Sequence, residues 1–251
     1  MSQKTAYITG GGSGIGRAVT TMLVNRGYKV AIADLNYPHA KGVATSLGPQ
    51  VIAYEVDAAL WESQTKVFQQ AVKDLGGRVD FVCPIAGIGE SRSIPNDPTS
   101  TDFAKPDLSC LDVDLYGVTY TVSLAVQQMR RQERDEDGIR GKSLTRSYGA
   151  YLPEEQITLN AVCPNVVRTS ISTEDFYDKL EANGLLTPIS SVVNAFEKIL
   201  DREFSGQCLE AGPSGRVDFR NPAEHLDHET AELMELLYER AHPLHQPVSQ
   251  E

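Results

Sequence analysis

Cysteine is scarce in this chain: four in 251 residues (Cys83, Cys110, Cys163 and Cys208), none of them in a C-x-x-C pair. A disulfide framework or a zinc knot needs clustered cysteines, so the four read as reduced, structural residues. No apolar run approaches the roughly 20 residues that span a bilayer. Met1-Ser2-Gln3-Lys4 leads straight into an apolar stretch, without the charged and apolar regions of a signal peptide. No N-x-S/T acceptor occurs. Basic residues are also in deficit: 23 Lys and Arg against 34 Asp and Glu leave a net charge of −11. That argues against a nucleic-acid or anionic-membrane surface, because no cationic excess exists to neutralise phosphates. What remains is an acidic chain expected in the cytoplasm, an enzyme or small-molecule binder, with room for one large domain or two small ones.

What is present is alternation. Thr5–Thr9, Tyr28–Asp34, Gln50–Val56 and Val79–Pro84 read as strands. Between them Ile15–Arg26, Pro38–Leu47 and Trp61–Leu75 read as helices, with apolar residues such as Ile15, Val19 and Leu23 on one face. Strand-helix alternation at this pitch implies parallel βαβ units and an α/β doubly wound sheet of the Rossmann kind. Glu90–Pro106 is polar and proline-punctuated and reads as loop. Leu108 to about Arg134 reads as one long helix ending in a charged, solvated turn. Ile157–Cys163 and a stretch near Gln207–Glu210 read as later strands. The expected organisation is a single domain over 1–251, with residues 222–251 as a helical and proline-rich tail.

Thr9-Gly10-Gly11-Gly12-Ser13-Gly14-Ile15-Gly16 falls between a predicted strand and a predicted helix. Glycines there let the backbone turn tightly and approach a pyrophosphate, which rests on the N-terminus of the following helix. Without that context the run would be an ordinary glycine-rich turn. Asp34 ends the second strand, 18 residues after Gly16, where such a fold places an acid against the adenosine ribose 2′-hydroxyl. Neither Ser13 nor Leu35 is basic, so a 2′-phosphate would be repelled and NAD is favoured over NADP. Asp57, ending the third strand, either accepts from the adenine amino group or serves a strand-end turn.

These residues resemble the short-chain dehydrogenases/reductases, with a flavour of the fungal, 15-hydroxyprostaglandin-dehydrogenase-like members. Thr9–Gly16 is similar to the family's T-G-x-x-x-G-x-G loop. Cys83-Pro84-Ile85-Ala86-Gly87 resembles its N-N-A-G with both asparagines gone. Leu111–Gly117 resembles its V-N-L-x-G stretch, with Asp114 where the family has a catalytic Asn. Leu144–Ser147 resembles the end of its sixth helix, and Ile157–Thr169 the strand and P-G-x-x-x-T turn that follow. The resemblance implies cofactor contacts from Gly10, Ser13, Gly14, Ile15, Gly16, Asp34, Leu35, Asp57, Ala86 and Gly87. It also implies that the Val167 backbone and Thr169 hold the nicotinamide carboxamide.

The family's chemistry needs a Ser and a Tyr-x-x-x-Lys for proton exchange and carbonyl polarisation. Counting back roughly 26 residues from Pro164 puts Gly138 at the Lys position and Arg134 at the Tyr position. On family spacing about 30 residues are missing at 142/143: the fifth strand, the catalytic Ser, the Tyr-x-x-x-Lys and most of the sixth helix. The junction reads as a true deletion or as an omitted exon. The expected sheet therefore lacks one central strand and most of one helix, with strand edges left open. A family-type homo-oligomer is not expected, because its interface helices are truncated.

Other candidates are weaker. Tyr37-Pro38-His39-Ala40-Lys41 lies at the adenosine end. Tyr148 and Tyr151 fall late and lack a following Lys. His225-x-x-His228 reads as a surface helix and not a metal site. The substrate stretch, Ile171–Pro188, offers only aliphatic and aromatic character. Three readings follow: an NAD-dependent oxidoreductase of secondary alcohols or ketones, by descent and catalytically impaired; a cofactor-binding scaffold; and a non-redox isomerase or cyclase using Asp114.

Overall fold

The structure, a computed structural model, describes residues 3–89, 99–144, 152–221 and 226–245. Strands β1 (Thr5–Thr9), β2 (Lys29–Asp34), β3 (Val51–Glu55) and β4 (Phe81–Pro84) form one half of a sheet. Strands β5 (Gly141–Leu144), β6 (Ile157–Pro164), β7 (Cys208–Ala211) and β8 (Val217–Phe219) form the other half. The order is β3-β2-β1-β4-β5-β6-β7-β8, parallel throughout except for the antiparallel β7–β8 pair.

The period of two along the strands sorts the core into two layers. Ala6, Ile8, Val30 and Ile32 face helices α1 (Gly14–Asn25) and α7 (Ile189–Asp201), packing on Leu23, Val192, Phe196 and Ile199. Tyr7, Ala31, Ala33 and Val82 face the other way, onto α3 (Trp61–Asp74) and α5 (Val118–Arg130), where Phe68, Ala71, Ala125 and Met129 are buried. Strands apolar on both faces need cover on both sides, which is the doubly wound arrangement the alternation predicted. Helix α2 (Tyr37–Leu47) precedes β3, and its N-terminus is capped by the Asn36 side chain accepting from His39 N–H.

The long helix is three pieces: α4 (Ser109–Leu111), a π-helical stretch Asp112–Gly117, and α5. It stops at Arg130, short of the predicted Arg134. Beyond it, Gln132 folds back so that its Oε1 accepts Val79 N–H at 3.2 Å and its Nε2 donates to Val79 O at 2.9 Å. The side chain thereby stands in for one rung of a ladder.

The expectation of a missing central strand is corrected. Gly141–Leu144 occupies the place between β4 and β6, pairing four residues with β6 and one, Phe81–Lys142, with β4. The segment lacks a β-branched run, so nothing local announces a strand; tertiary contacts place it. Arg78 donates to Ile139 O and Arg140 O, Lys142 N–H to Asp80 O, and Arg140 N–H to Gln156 O. Gly141 lets the strand pack against the Met129 side chain: a Cβ there would sit 2.6 Å from the Met129 sulfur, which would have to move. Leu144, expected late in a helix, is in this strand; Thr145–Ser147, Tyr148 and Tyr151 lie outside the described residues. Between β5 and β6 the described residues hold a short 3-10 helix, Leu152–Glu155, and no α-helix.

Gln132→Leu keeps the side-chain volume but strands the Val79 N–H and C=O. We expect a loss of about 3 kcal/mol, since each buried orphan costs roughly 1–3; a urea midpoint unchanged from wild type would refute the bridging role.

The substrate stretch, Ile171–Pro188, contains helix α6 (Glu174–Ala182). The tail carries helix α8 (His228–His245); His225 is outside the described residues, and His228 pairs with Glu232 at 3.3 Å. Among the described residues no three metal-ligating side chains converge, and no helix is long and apolar enough to cross a membrane.

Candidate dinucleotide site

The strand order reverses between β1 and β4, and a cleft of about 590 Å³ opens there at the carboxyl ends of the strands. Crevices at such switch points are where open α/β sheets bind ligands. The floor is the glycine loop. Gly10 has φ +73°, and a Cβ on it would lie 2.7 Å from the Ala86 backbone. Gly16 is tighter still: its Cβ would fall 2.1 Å from Gly10 O. Together these close approaches bring the loop under the first turn of α1.

Ser13 is the N-cap of α1 with no capping bond from its side chain, and it lines the cleft with Gly14, Ile15 and Gly16. The first N–H groups of the helix therefore face the cavity without intrahelical partners, a ready anion site.

At the adenosine end, Asp34 Oδ2 accepts Gly12 N–H at 2.8 Å and Oδ1 accepts Asn36 N–H at 2.9 Å. A carboxylate has about four acceptor positions, so capacity for hydroxyl donors remains. Leu35, 67% exposed, stands beside it as an apolar surface. Asp57 reaches the cleft while its Oδ1 accepts Ala59 N–H at 2.9 Å, so the strand-end turn is formed. Pro38 also lines this end, which places the Tyr37–Lys41 motif beside it on α2.

The opposite wall comes from β4 and the segment after β6. Thr9 Oγ1 accepts from Ile85 N–H and Ala86 N–H, fixing Ala86 and Gly87 over the loop. Burial pushes the Cys83 thiol well above its usual range, so this cysteine is packing. Thr169 lines the cleft and touches Gly14, while Val167 lies in an adjoining apolar cavity of about 290 Å³ with Phe176 and Tyr177. Arg168, between them, pairs with Glu174, Asp178 and Glu181 and stacks 5.5 Å over Tyr177, tying α6 to this wall.

Asp114 is not among the cleft-lining side chains; its neighbour Val113 is. Its Oδ1 accepts Ile88 N–H at 3.0 Å and its Oδ2 the Cys110 thiol at 3.4 Å. The carboxylate thus holds the chain after β4 in place. Among the described residues lining the cleft there is no tyrosine, lysine or histidine. Ser143 is fully buried in β5, and its hydroxyl has no hydrogen-bond partner among the described residues. Lys142 caps the end of α7 through Leu200 O and Arg202 O, and burial lowers its pKa.

Sequence reasoning missed Asn36, Val56, Ile85, Val113 and Ile171 as cleft residues. Only Asn36, just before a Tyr-Pro helix start, carried a local signal.

A family profile described as short chain dehydrogenase matches residues 4–136. The chain is similar to the short-chain dehydrogenase/reductase ascJ of Acremonium egyptiacum, 33% identical over 141 residues. It is also similar to the NADP-dependent dehydrogenase M3 of a Phoma species, 35% identical over 144 residues. Each match covers 55% of this chain but less than half of the relative, 46% and 42%. In fold it resembles a 3-ketoacyl-(acyl-carrier-protein) reductase from Brucella melitensis solved with NADH. The TM-score is 0.67 at 18% identity, covering 84% of this chain and 98% of that one.

Proposed function

This chain belongs to the short-chain dehydrogenase family, and from that premise we propose that it binds NAD(H) in the β1–β4 cleft and lacks the family's proton relay. The observation that carries the reading is the cleft itself. Its loop fits a dinucleotide diphosphate, since Gly10 and Gly16 let the backbone pack where a Cβ would clash with Ala86 and Gly10, and the uncapped start of α1, Ser13–Gly16, lines the cleft. The nicotinamide ring, when bound, supplies a hydride acceptor or donor. This chain's own residues do the rest: Asp34 takes the ribose hydroxyls, Gly10, Ser13 and Gly16 bind the diphosphate, and Val167 and Thr169 orient the carboxamide.

The preference for NAD rests on charge. One relative is named NADP-dependent, yet no Lys or Arg is among the described residues lining this cleft, and Asp34 stands where a 2′-phosphate would need a cation. The claim about the relay rests on the same lining, which holds no described tyrosine or lysine. A general acid or base contributes some 10²–10⁴-fold, so its loss leaves cofactor binding intact while turnover collapses.

The test is a fluorescence titration with NADH and NADPH, followed by an alcohol and ketone panel. NADH is expected to bind at least about tenfold more tightly than NADPH. Asp34→Ala is expected to weaken NADH by roughly 10–100-fold, the worth of charge-assisted hydrogen bonds. Turnover should match the protein-free control. Equal or tighter NADPH binding would overturn the cofactor assignment, and turnover at enzyme-like rates would overturn the claim about the relay.

A further inference from the structure

Cys163 and Cys208 sit on neighbouring parallel strands, β6 and β7. In the register Ala161 faces Cys208 and Cys163 faces Glu210, so the two cysteines are offset by two residues and share one face of the sheet. Their sulfurs are 3.0 Å apart. Leu209 and Ala211 enter the core beneath α7, and the alternation turns Cys208 to the opposite face, where β6 presents Cys163. Cys163 is exposed there, whereas Cys208 is buried, at 3%. The other two thiols are placed differently: Cys83 is fully buried in β4, and Cys110 is on α4 against Asp114.

We propose that Cys163 and Cys208 are a redox pair that closes to an intrachain disulfide on exposure to a hydroperoxide. The exposed Cys163, as thiolate, attacks the peroxide O–O bond, giving a sulfenic acid and releasing water or an alcohol. The Cys208 sulfur then attacks the sulfenic sulfur; the S–S bond forms, the S–O bond breaks, and the oxygen leaves as water with the Cys208 proton. Two thiols are oxidised by two electrons and one peroxide is reduced by two. A disulfide needs about 2.05 Å between sulfurs, so the pair closes by about 1 Å, within reach of side-chain rotation. An accessible thiol beside a resolving one is the arrangement expected of a sensor. The bond would staple the root of the segment carrying Val167 and Thr169 to β7, enclosing α6 and α7 in one covalent loop.

The reduced full chain is treated with one equivalent of hydrogen peroxide, alkylated and digested with trypsin. Cleavage at Arg146, Arg168, Arg202 and Arg216 leaves Cys163 and Cys208 alone in separate peptides, 147–168 and 203–216. The expected result is those two peptides joined, two of the four thiols lost per chain, and both regained with dithiothreitol. Cys163→Ser should keep its three thiols, and Cys208→Ser should stop at a Cys163 sulfenic acid that dimedone traps. Four surviving thiols in the wild-type chain would overturn the proposal. So would a cross-link to Cys110 or between chains, or dimedone labelling of wild type equal to that of Cys208→Ser. The wild-type map needs no variant to fold.

Discussion

Gly16→Ala should abolish NADH binding within the measurable range, a loss of at least about 100-fold, and lower stability by roughly 2 kcal/mol. The added carbon would lie 2.1 Å from Gly10 O and 2.7 Å from Gly10 C, both backbone atoms that cannot swing aside. The loop must therefore lift off the helix, which spoils the approach to the diphosphate and the alignment of the first N–H groups of α1 together. Gly42→Ala is the control. It sits in α2 with nothing within 4 Å of its would-be Cβ, so helix propensity alone acts and stability should rise by up to about 1 kcal/mol. Fluorescence titration and thermal melting of both variants check this. A Gly16→Ala protein that binds NADH like wild type would refute the close-packed loop.

Asp80→Ala should be the most damaging single change to the fold, at about 4 kcal/mol. Asp80 is 8% exposed; its Oδ2 accepts Thr5 N–H at 2.8 Å and Thr5 Oγ1–H at 3.0 Å, and its Oδ1 pairs with Arg78. Truncation orphans the Thr5 amide and leaves a guanidinium without its counter-charge. Because Arg78 is 24% exposed, the broken pair itself falls at or below the low end of the about 3–5 kcal/mol typical of buried pairs, and the orphaned Thr5 amide adds roughly 1–3. The loss should exceed that of Gln132→Leu, because Arg78 also holds Ile139 and Arg140 for β5. Urea unfolding of the two variants side by side decides the order.

The half of the molecule that the sequence made legible is the half built from local signals. β1 to β4 are short and buried, separated by amphipathic helices, and their ends fall within one or two residues of the pattern. The glycine loop and Asp34 were legible for the same reason: each is a contiguous motif with its context on both sides. Helix α7 carried a usable signal too, with Val192, Ala195, Phe196 and Ile199 on one face, and went unread. β5 carried none. Its four residues become a strand because β6 pairs with them, Asp80 O accepts Lys142 N–H, and Arg78 and Gln132 hold the Ile139 and Arg140 carbonyls just before them; all of these lie outside the segment. Val56, Ile85 and Ile171 reach the cleft only through the order of the sheet, which no window along the chain contains.

The single residue pair between β4 and β5 makes that junction a seam. Force or thermal motion tending to open the sheet meets a full ladder everywhere except there. Both helical layers bridge the seam: on one face α1 and α7 share a core through Leu23, Val192 and Phe196 and Arg26 reaches Asp201, and on the other Gln132, just past α5, joins Val79 to Arg140. The two half-sheets are buckled together by their helices more than woven together by their strands. Since the glycine loop precedes α1 and the Val167–Thr169 wall comes from the far half, the width of the cleft is set by that buckle.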